Sequence, residues 1–207
     1  MVSWLMILAF AISSNIDNLG VGISYGVQNI KIRLGKNILI AFICFLMSLG
    51  GITFGVWMAS IIPGMLPSTI GAVLLLIIGI RVITLAKPKE KKVVEVSGGN
   101  YHEILRNPEE ADVDQSGHIG WVEAIFLGIA LSANALTNGL GAGLIGLSPL
   151  AISITAAIGS LLCLWAGVKV GTKVAHVQIG SFTVGQCGTV LSGSIIILIA
   201  FKVFFLH

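Results

Sequence analysis

The sequence predicts an all-α integral membrane protein with six transmembrane helices, arranged as two inverted three-helix repeats. Two observations on composition lead to this class. Of the 207 residues, 56% are hydrophobic and only 10% are charged, and the mean hydropathy is +1.00. These values lie far outside the range of soluble globular domains. The arrangement follows from a third observation, a pattern of polar residues that recurs in both halves of the chain.

Six apolar segments are long enough to cross a bilayer, which takes about 20 residues for a hydrocarbon layer of about 30 Å. They divide the chain into a first three-helix repeat (1–86), a polar connection (87–120) and a second repeat (121–207). Turns that contain proline and glycine follow the second and fourth segments. The six predicted spans are residues 4–29, 37–62, 66–86, 121–147, 149–172 and 179–205.

Basic residues occur in alternate connections. The first, third and fifth connections carry Lys and Arg residues, whereas the second and fourth carry none. Because cytoplasmic connections are enriched in these residues, the odd connections are predicted to be cytoplasmic and both termini outside. Lys202, near the outer end of the last span, is an exception that a snorkelling side chain accommodates. We therefore expect a multi-pass protein of the bacterial cell membrane.

Other uses of the charges and cysteines are disfavoured. The basic residues form short clusters between apolar segments and not one basic face with interleaved aromatics, so a nucleic-acid partner is not expected. The three cysteines, Cys44, Cys163 and Cys187, lie in apolar segments without Cys-x-x-Cys spacing. They are interpreted as small core residues and not as a disulfide framework or zinc site. No catalytic triad, Cys/His pair or phosphate-binding loop is present, so an enzyme is not predicted.

Asp17 is the only acidic residue in the first 89 positions, and it lies in the middle of the first span. A charge at the centre of a bilayer costs about 2.5–3.5 kcal/mol on insertion scales, so such a residue usually faces a protein interior or a wet cavity. Its surroundings recur in the fourth span. Residues 15–19 align with residues 132–136, which places Asn134 opposite Asp17 in the alignment, and two glycines that follow also match.

Each copy of this repeat contains three spans, an odd number, so the second copy enters the membrane in the opposite sense to the first. Inverted repeats of this kind are typical of transporters whose site lies near the bilayer midplane, between the halves. At 1.5 Å per residue, both Asp17 and Asn134 lie near the bilayer centre. The repeat therefore predicts a site at the interface of the two copies.

A carboxylate accompanied by amide and hydroxyl oxygens suits a hard divalent cation such as Mn²⁺ or Mg²⁺. In the alternative interpretation, the asparagines form hydrogen bonds between helices and Asp17 is a protonated or paired core acid. Helical spacing places other polar residues beside Asp17 and Asn134. The candidate ion-binding residues in the membrane are Ser13, Asn15, Asp17, Asn18, Asn134, Thr137 and Asn138.

Residues 112–123, here called the acidic loop, fit the pattern of an EF-hand calcium loop. Oxygen-bearing side chains occupy positions 1, 3 and 5, glycine occupies position 6, an aliphatic residue position 8 and Glu123 position 12. Glu123 also belongs to the start of the fourth span, so a bound cation would order the entry of that helix. The alternative is a solvated acidic turn that caps the helix. The candidate Ca²⁺ ligands are Asp112, Asp114, Ser116, His118 through its carbonyl, and Glu123.

The chain resembles the YtaF family of bacterial sporulation membrane proteins, a branch related to the MntP-type manganese efflux pumps. The resemblance rests on the six spans, the two repeats, the acidic loop and residues 15–19 and 132–136, which stand where the pumps carry a Ser-x-Asp-Ala-like motif in each half. It implies export of a divalent cation of the Mn²⁺ type across the lipid bilayer. It implies also that Asn134 replaces the second membrane acid of the pumps.

Two functions follow from these observations. In the first, the protein exports a divalent cation through a midplane site at Asp17 and Asn134. In the second, it is a non-transporting sporulation membrane protein with a calcium-responsive cytoplasmic loop. The partners expected beyond the bilayer and the cation are a second copy of the chain or other sporulation membrane proteins. The retained acid favours the first function, and the loss of the paired acid favours the second.

Overall fold

The computed structural model describes residues 4–62, 64–85, 101–174 and 197. Within this part of the chain, all regular elements are helices, and the extended structure is limited to one isolated bridge between Lys31 and His118. The helices are α1 (Trp4–Val27), α2 (Leu34–Ile61), α3 (Leu66–Leu85), the short α4 (His102–Arg106), a 3₁₀ turn (Pro108–Glu110), α5 (Trp121–Leu144) and α6 (Pro149–Val174).

Four of these helices, α1, α2, α5 and α6, are long and apolar enough to cross a membrane. Large apolar side chains such as Phe42 and Trp57 are more than half exposed on their outer faces, as expected for helices that face lipid. Helix α3, the predicted third span, has 20 residues, and Leu66–Ile77 is its apolar stretch among the side chains described. The predicted sixth span, residues 179–205, lies outside the described residues.

The predicted boundaries of three spans need correction by up to a turn. Helix α1 ends at Val27, and Asn29 follows with a φ of 59°. Helix α5 ends at Leu144, and Gly146 follows with a φ of 76°. A residue with a left-handed backbone conformation commonly follows the end of a helix. Hydropathy does not detect this change in the backbone, so the predicted spans extend into the turns. Helix α2 begins at Leu34 and not at residue 37, because hydropathy alone does not count its polar first turn.

Hydrogen bonds and close approaches fix the directions of the four long helices. Asn37 and Cys44 of α2 donate to the carbonyls of Leu161 and Ala156 of α6, so α2 and α6 are antiparallel. Gly22 and Gly26 of α1 contact Gly167 and Gly171 of α6 in the same order. Helices α1 and α6 are therefore parallel.

The same arrangement holds for α2 and α5, because Gly51 and Gly55 contact Gly139 and Gly143 in the same order. It follows that α1 and α5, the first helices of the two predicted repeats, run in opposite directions. Each of these helices packs mainly on a helix of the other predicted repeat: α1 packs along α6, and α2 packs along α5.

The two parallel pairs share one contact pattern. A Cβ atom added to Gly22 would lie 2.7 Å from the carbonyl oxygen of Leu164, and one added to Gly139 would lie 2.8 Å from that of Ser48. In each case the oxygen belongs to the residue three positions before the facing glycine. Small residues permit such close contact between membrane helices, where dispersion supplies much of the association energy.

Residues 101–120 pack on one end of the bundle. Ile104 and Ile119 are fully buried there against Tyr25 and Ile30, at the end of α1 and just after it, and against Leu127 of α5. The Tyr25 hydroxyl donates a hydrogen bond to the carbonyl of Pro108. The third connection is therefore attached to the first connection by an apolar cluster, beside the entry of α5.

Candidate ion-binding sites

Asp17 and Asn134 face each other across α1 and α5. Asn134 Nδ2 donates a hydrogen bond of 2.9 Å to Asp17 Oδ2. The two residues are half-buried, 117 positions apart in sequence. The second carboxylate oxygen, Asp17 Oδ1, is buried and has no hydrogen-bond partner within the described part of the chain. One oxygen is thus held by the asparagine, and the other is left for a ligand, a proton or water.

Asn15 and Asn18 point away from Asn134, toward α6. Asn18 is fully buried, and its Nδ2 bonds Ser160 Oγ at 3.0 Å and Asn15 Oδ1 at 3.2 Å. Asn15 Nδ2 donates to the carbonyl of Ala11 at 2.7 Å and also lies against Gly159. Asn18 thus forms an interhelical hydrogen bond, as in the alternative interpretation of the asparagines, whereas the hydrogen bonds of Asn15 stay within α1. The free acceptor Asn18 Oδ1 is the exception.

The remaining three predicted residues differ in position. Ser13 is fully buried within α1. Asn138 is 2% exposed, and both atoms of its amide lack a hydrogen-bond partner among the described residues. Thr137 is exposed and its hydroxyl bonds the carbonyls of Ala133 and Asn134 on its own helix. Thr137 therefore makes no hydrogen bond to Asp17 in the described structure, and its hydroxyl is bonded to its own helix.

Several interior polar groups were not predicted as site residues. Ser160 binds Asn18, and Ser132 and Ser160 both hydrogen-bond the buried Cys44 thiol. Ser48 Oγ is buried without a partner in the described structure. The sequence did indicate that Ser48 and Ser160 could be interior polar residues, because both lie in the middle of apolar helices at small-residue positions. The contact between α1 and α6 that brings Ser160 to Asn18 could not be deduced from the repeat alone.

The carboxylates of the acidic loop converge. Oxygen atoms of Asp112, Asp114 and Glu123 lie within 4.8 Å of one another. Because Ca²⁺ binds oxygen at about 2.3–2.6 Å, the ligands around one ion lie within about 5 Å of each other. Gly117, at position 6, has a φ of 73°, which only glycine adopts readily. The glycine turn and the spacing of the three carboxylates are therefore compatible with a bound divalent cation.

Local hydrogen bonds pre-form this loop. The buried Glu123 accepts bonds from the backbone N–H groups of Val113 and Gly120, at 2.9 and 2.6 Å. Asp112 accepts bonds from the backbone of Ser116 and Gly117. Each carboxylate oxygen has two lone pairs, so these bonds leave acceptor capacity for a cation.

The pKa of Asp114 reflects the same network. Hydrogen bonds from the Ser116 side chain and backbone hold the pKa of the Asp114 carboxyl below its ordinary value. Its charged form is therefore favoured at neutral pH, and the stabilisation is lost only when the pH falls through that lowered pKa.

The acidic loop pairs with the connection between α1 and α2. Lys31 N–H donates to the carbonyl of Gly117 at 3.0 Å, and Ile119 N–H donates to the carbonyl of Lys31 at 3.2 Å. His118, the predicted backbone ligand, lies inside this bridge. The acidic loop is therefore in direct backbone contact with the chain that joins α1 to α2.

Comparison with known proteins shows the family of the chain and agrees with its apolar helices. The chain is 34% identical over 177 residues to "Probable sporulation protein YtaF" of Bacillus subtilis (strain 168), and the alignment covers 80% of this chain and 84% of that protein. The chain belongs to the YtaF family. A family model described as "Putative manganese efflux pump" (MntP) matches residues 1–83 of this YtaF relative. No solved structure matches the chain significantly.

This YtaF relative is a multi-pass membrane protein, as its apolar helices and its family both indicate. The part that matches the efflux-pump model contains α1 to α3 and hence Asp17. The acidic loop and Asn134 lie outside that matched segment. The likeness to the pumps is thus concentrated in the half that retains the membrane carboxylate.

Proposed function

We propose that this YtaF relative is a secondary transporter that exports a divalent cation of the Mn²⁺ type through a midplane site at Asp17 and Asn134. The observation that carries the proposal is the Asp17 carboxylate, with one oxygen bonded to Asn134 and the other buried without a partner in the described structure. An intramembrane acid is costly, and it commonly marks an ion or proton pathway.

The helix directions support an inverted-repeat transporter with six spans. Helices α1 and α5 run in opposite directions and carry the aligned residues Asp17 and Asn134, which meet where the two copies face each other. Equivalent glycine contacts in the α1/α6 and α2/α5 pairs support the same pseudo-twofold relation. Alternating access in such folds moves one repeat against the other around a fixed site.

The groups around Asp17 favour a weakly held ion. Asp17 contributes one negative charge, and Asn134, which hydrogen-bonds it, contributes a neutral amide. Elsewhere in the interior, Asn18 and Asn138 have buried oxygens without partners among the described residues. A divalent ion in this place would still need water or backbone oxygens to complete its shell, as is suitable for a cargo that must be released.

A flux assay tests the proposal. We expect wild-type protein in liposomes to move Mn²⁺, and Asp17→Asn to reduce the flux to that of protein-free liposomes, because the only charged ligand is lost. Thr137→Ala is the matched control, since Thr137 is exposed and bonds only its own helix in the described structure. Equal flux from the wild type and Asp17→Asn would overturn the transporter.

A second candidate function is favoured by the geometry of the acidic loop. It is a sporulation membrane protein without transport activity, in which the loop binds Ca²⁺ and acts on the membrane helices. The convergence of Asp112, Asp114 and Glu123 supports this function, and the bridge to Lys31 gives the loop a direct contact with the connection between α1 and α2. The sporulation role is suggested by the printed name of the Bacillus relative.

Calorimetry of the full-length protein in detergent distinguishes cation binding from a simple acidic turn. We expect Ca²⁺ to bind with a dissociation constant of about 0.1–1 mM, the range of weak modules. Asp114→Asn removes one charged ligand and should weaken binding by about an order of magnitude, whereas Glu110→Gln, an exposed acid outside the loop, should not. Absence of binding heat at millimolar Ca²⁺ would leave the loop as a helix cap.

A further inference from the structure

A basic cavity of about 620 Å³ lies at the end of the bundle that carries the acidic loop. Here, the basic cavity means the space between the connection that joins α1 to α2, the start of α2, the acidic loop and the last turns of α6. The polar and aromatic residues that line it are Lys31, Arg33, Asn37, His118, Trp165 and Lys169. Three permanent cations therefore face one space, and the described lining residues include no carboxylate.

The backbone adds to this positive potential. Helix α2 starts beside the cavity at Leu34, and its cap residue Arg33 makes no side-chain cap hydrogen bond. The N–H groups of the first turn of a helix have no partner within the helix, and they carry the positive end of its dipole. Such an end, combined with Lys and Arg side chains, is a site for a phosphate or another anion.

A buried acceptor points to more than an inorganic anion. Asn37 is 3% exposed and lines the cavity, and its Nδ2 donates to the carbonyl of Leu161 at 3.1 Å. Asn37 Oδ1 is buried and has no partner in the described structure. An acceptor in that position needs a donor, such as the hydroxyl of a polar alcohol.

An apolar groove of about 300 Å³ continues from the cavity between α2 and α6. On α2 it begins at Ile38, one turn after Leu34 of the cavity, and continues to Phe45. On α6 it begins at Leu161, one turn before Trp165, and continues to Ala157. Residues one turn apart share a helix face, so the groove and the cavity form one continuous surface.

The shape and chemistry of this surface match one class of ligand. We propose that the basic cavity and the groove bind one anionic phospholipid, with its phosphate in the cavity and an acyl chain along the groove. The headgroup that fits best is phosphoglycerol, because its net charge is negative and its hydroxyls supply the donor for Asn37 Oδ1. A choline headgroup fits poorly, since it brings a cation and has no hydrogen-bond donor.

The position relative to the bilayer agrees with this ligand. Trp165 is half exposed, and the Lys169 ammonium lies 3.8 Å from the centre of its ring. Tryptophan and lysine are characteristic of the interface where lipid headgroups lie. The groove below them is lined almost entirely by carbon and opens between two helices with exposed apolar faces. This lipid site is independent of ion transport, so either proposed function is compatible with it.

Native mass spectrometry of the full-length protein in detergent tests the proposal, with phosphatidylglycerol and phosphatidylcholine as probes. We expect one phosphatidylglycerol to remain bound and phosphatidylcholine to dissociate. The double variant R33Q/K169Q should weaken phosphatidylglycerol binding by about thirtyfold, because it removes two cations near the phosphate. The variant Lys36→Gln changes a basic residue in the first turn of α2 that does not line the cavity, and it should bind phosphatidylglycerol as the wild type does.

A second variant and a competitor separate the lipid from other occupants. Ala157→Phe fills the groove without changing the charge, and should weaken lipid binding while leaving the cavity intact. Glycerol 3-phosphate has the same headgroup chemistry without acyl chains, and we expect it not to displace the lipid at equal concentration. Equal retention of both lipids, unchanged binding in R33Q/K169Q, full displacement by glycerol 3-phosphate, or a stable dimer that protects the groove would each overturn the proposal.

Discussion

At the scale of single residues, the pairing of a carboxylate with an amide determines what the interior can hold. Asn134 donates its Nδ2 hydrogen to Asp17 and so stabilises the ionised carboxylate without a second charge. Two carboxylates at this distance could not both be ionised unless a cation or proton lay between them. The amide therefore makes the pair stable in the absence of a metal, and limits the charge available to bind one.

The variant Asn134→Asp should make the stability of the pair depend on a bound metal. We expect it to be less stable than the wild type in a metal chelator, because two acids then face each other, and to regain stability on addition of Mn²⁺. Thermal unfolding in detergent, with and without Mn²⁺, measures both effects. Asn134→Ala is the control, since it removes the hydrogen bond without adding charge; an equal response to Mn²⁺ in the two variants would contradict the prediction.

At the scale of helices, glycine pairs decide which helices run side by side. In the α2/α5 pair, a Cβ atom on Gly143 would collide with the carbonyl of Ile52, and one on Gly55 with that of Leu140. These are backbone atoms, which cannot move without separating the helices. By contrast, Gly50 lies one position before Gly51, the glycine that contacts α5. A Cβ atom on Gly50 would meet nothing within 4 Å.

Substitution of these glycines by alanine should therefore have opposite effects. Gly143→Ala is expected to destabilise the folded protein by about 1–3 kcal/mol through overpacking. Gly50→Ala should be neutral or stabilising by up to about 1 kcal/mol, because alanine favours a helix. Chemical denaturation in detergent micelles measures both, and similar stability of the two variants would show that the glycine contacts do not hold α2 against α5.

The helices also show what sequence alone can predict. The apolar segments and the opposite senses of α1 and α5 followed from hydropathy and from the odd number of spans in each copy. The register of the repeat, by contrast, could not be deduced from the sequence. Alignment of Ser48 with Ser160 in the sequence pairs Gly55 with Gly167, whereas the contacts make Gly51 equivalent to Gly167 and Gly55 to Gly171. Glycines four residues apart allow alignments shifted by one turn, and only the facing helix decides between them.

The candidate sites were predictable to different degrees. The convergence of Asp112, Asp114 and Glu123 was predictable because these carboxylates are close in sequence, at fixed positions. Asp17 and Asn134 were found through the repeat. The roles of Asn15 and Asn18 depend on α6, whose Gly159 and Ser160 lie more than 140 residues away, and no local pattern predicts such a contact. The cavity between α2 and α6 was not predicted for the same reason.

At the scale of the whole molecule, the basic residues of different connections collect at one end. Lys31 and Arg33 of the first connection and Lys169, near the fifth, line the same cavity. The acidic loop of the third connection lies beside them. This distribution is typical of a cytoplasmic surface, and the connections at the other end, which follow α2 and α5, contain no Lys or Arg.

Cysteine labelling of intact cells tests the orientation. In a variant whose three native cysteines are replaced by alanine, Ser148→Cys in the turn between α5 and α6 should react with a membrane-impermeant reagent. Gln115→Cys in the acidic loop should react only after the membrane is permeabilised. Both side chains are exposed, so their reactivity reports the side of the membrane. The reverse pattern would contradict the predicted outside position of the termini.

The attachment of residues 101–120 to one end of the bundle has a consequence for the free energies of the two forms in the proposed transport cycle. In a transporter made of two inverted copies, the inward-open and outward-open forms are related by exchange of the copies, so identical copies would give both forms the same free energy. The bridge from Lys31 to His118 and the cluster around Tyr25 exist at one end of the described bundle only. In the proposed transporter, these contacts are expected to stabilise the form in which that end is closed. The populations of the inward-open and outward-open forms are therefore expected to be unequal in the absence of ligand. A ligand of the acidic loop would change their ratio.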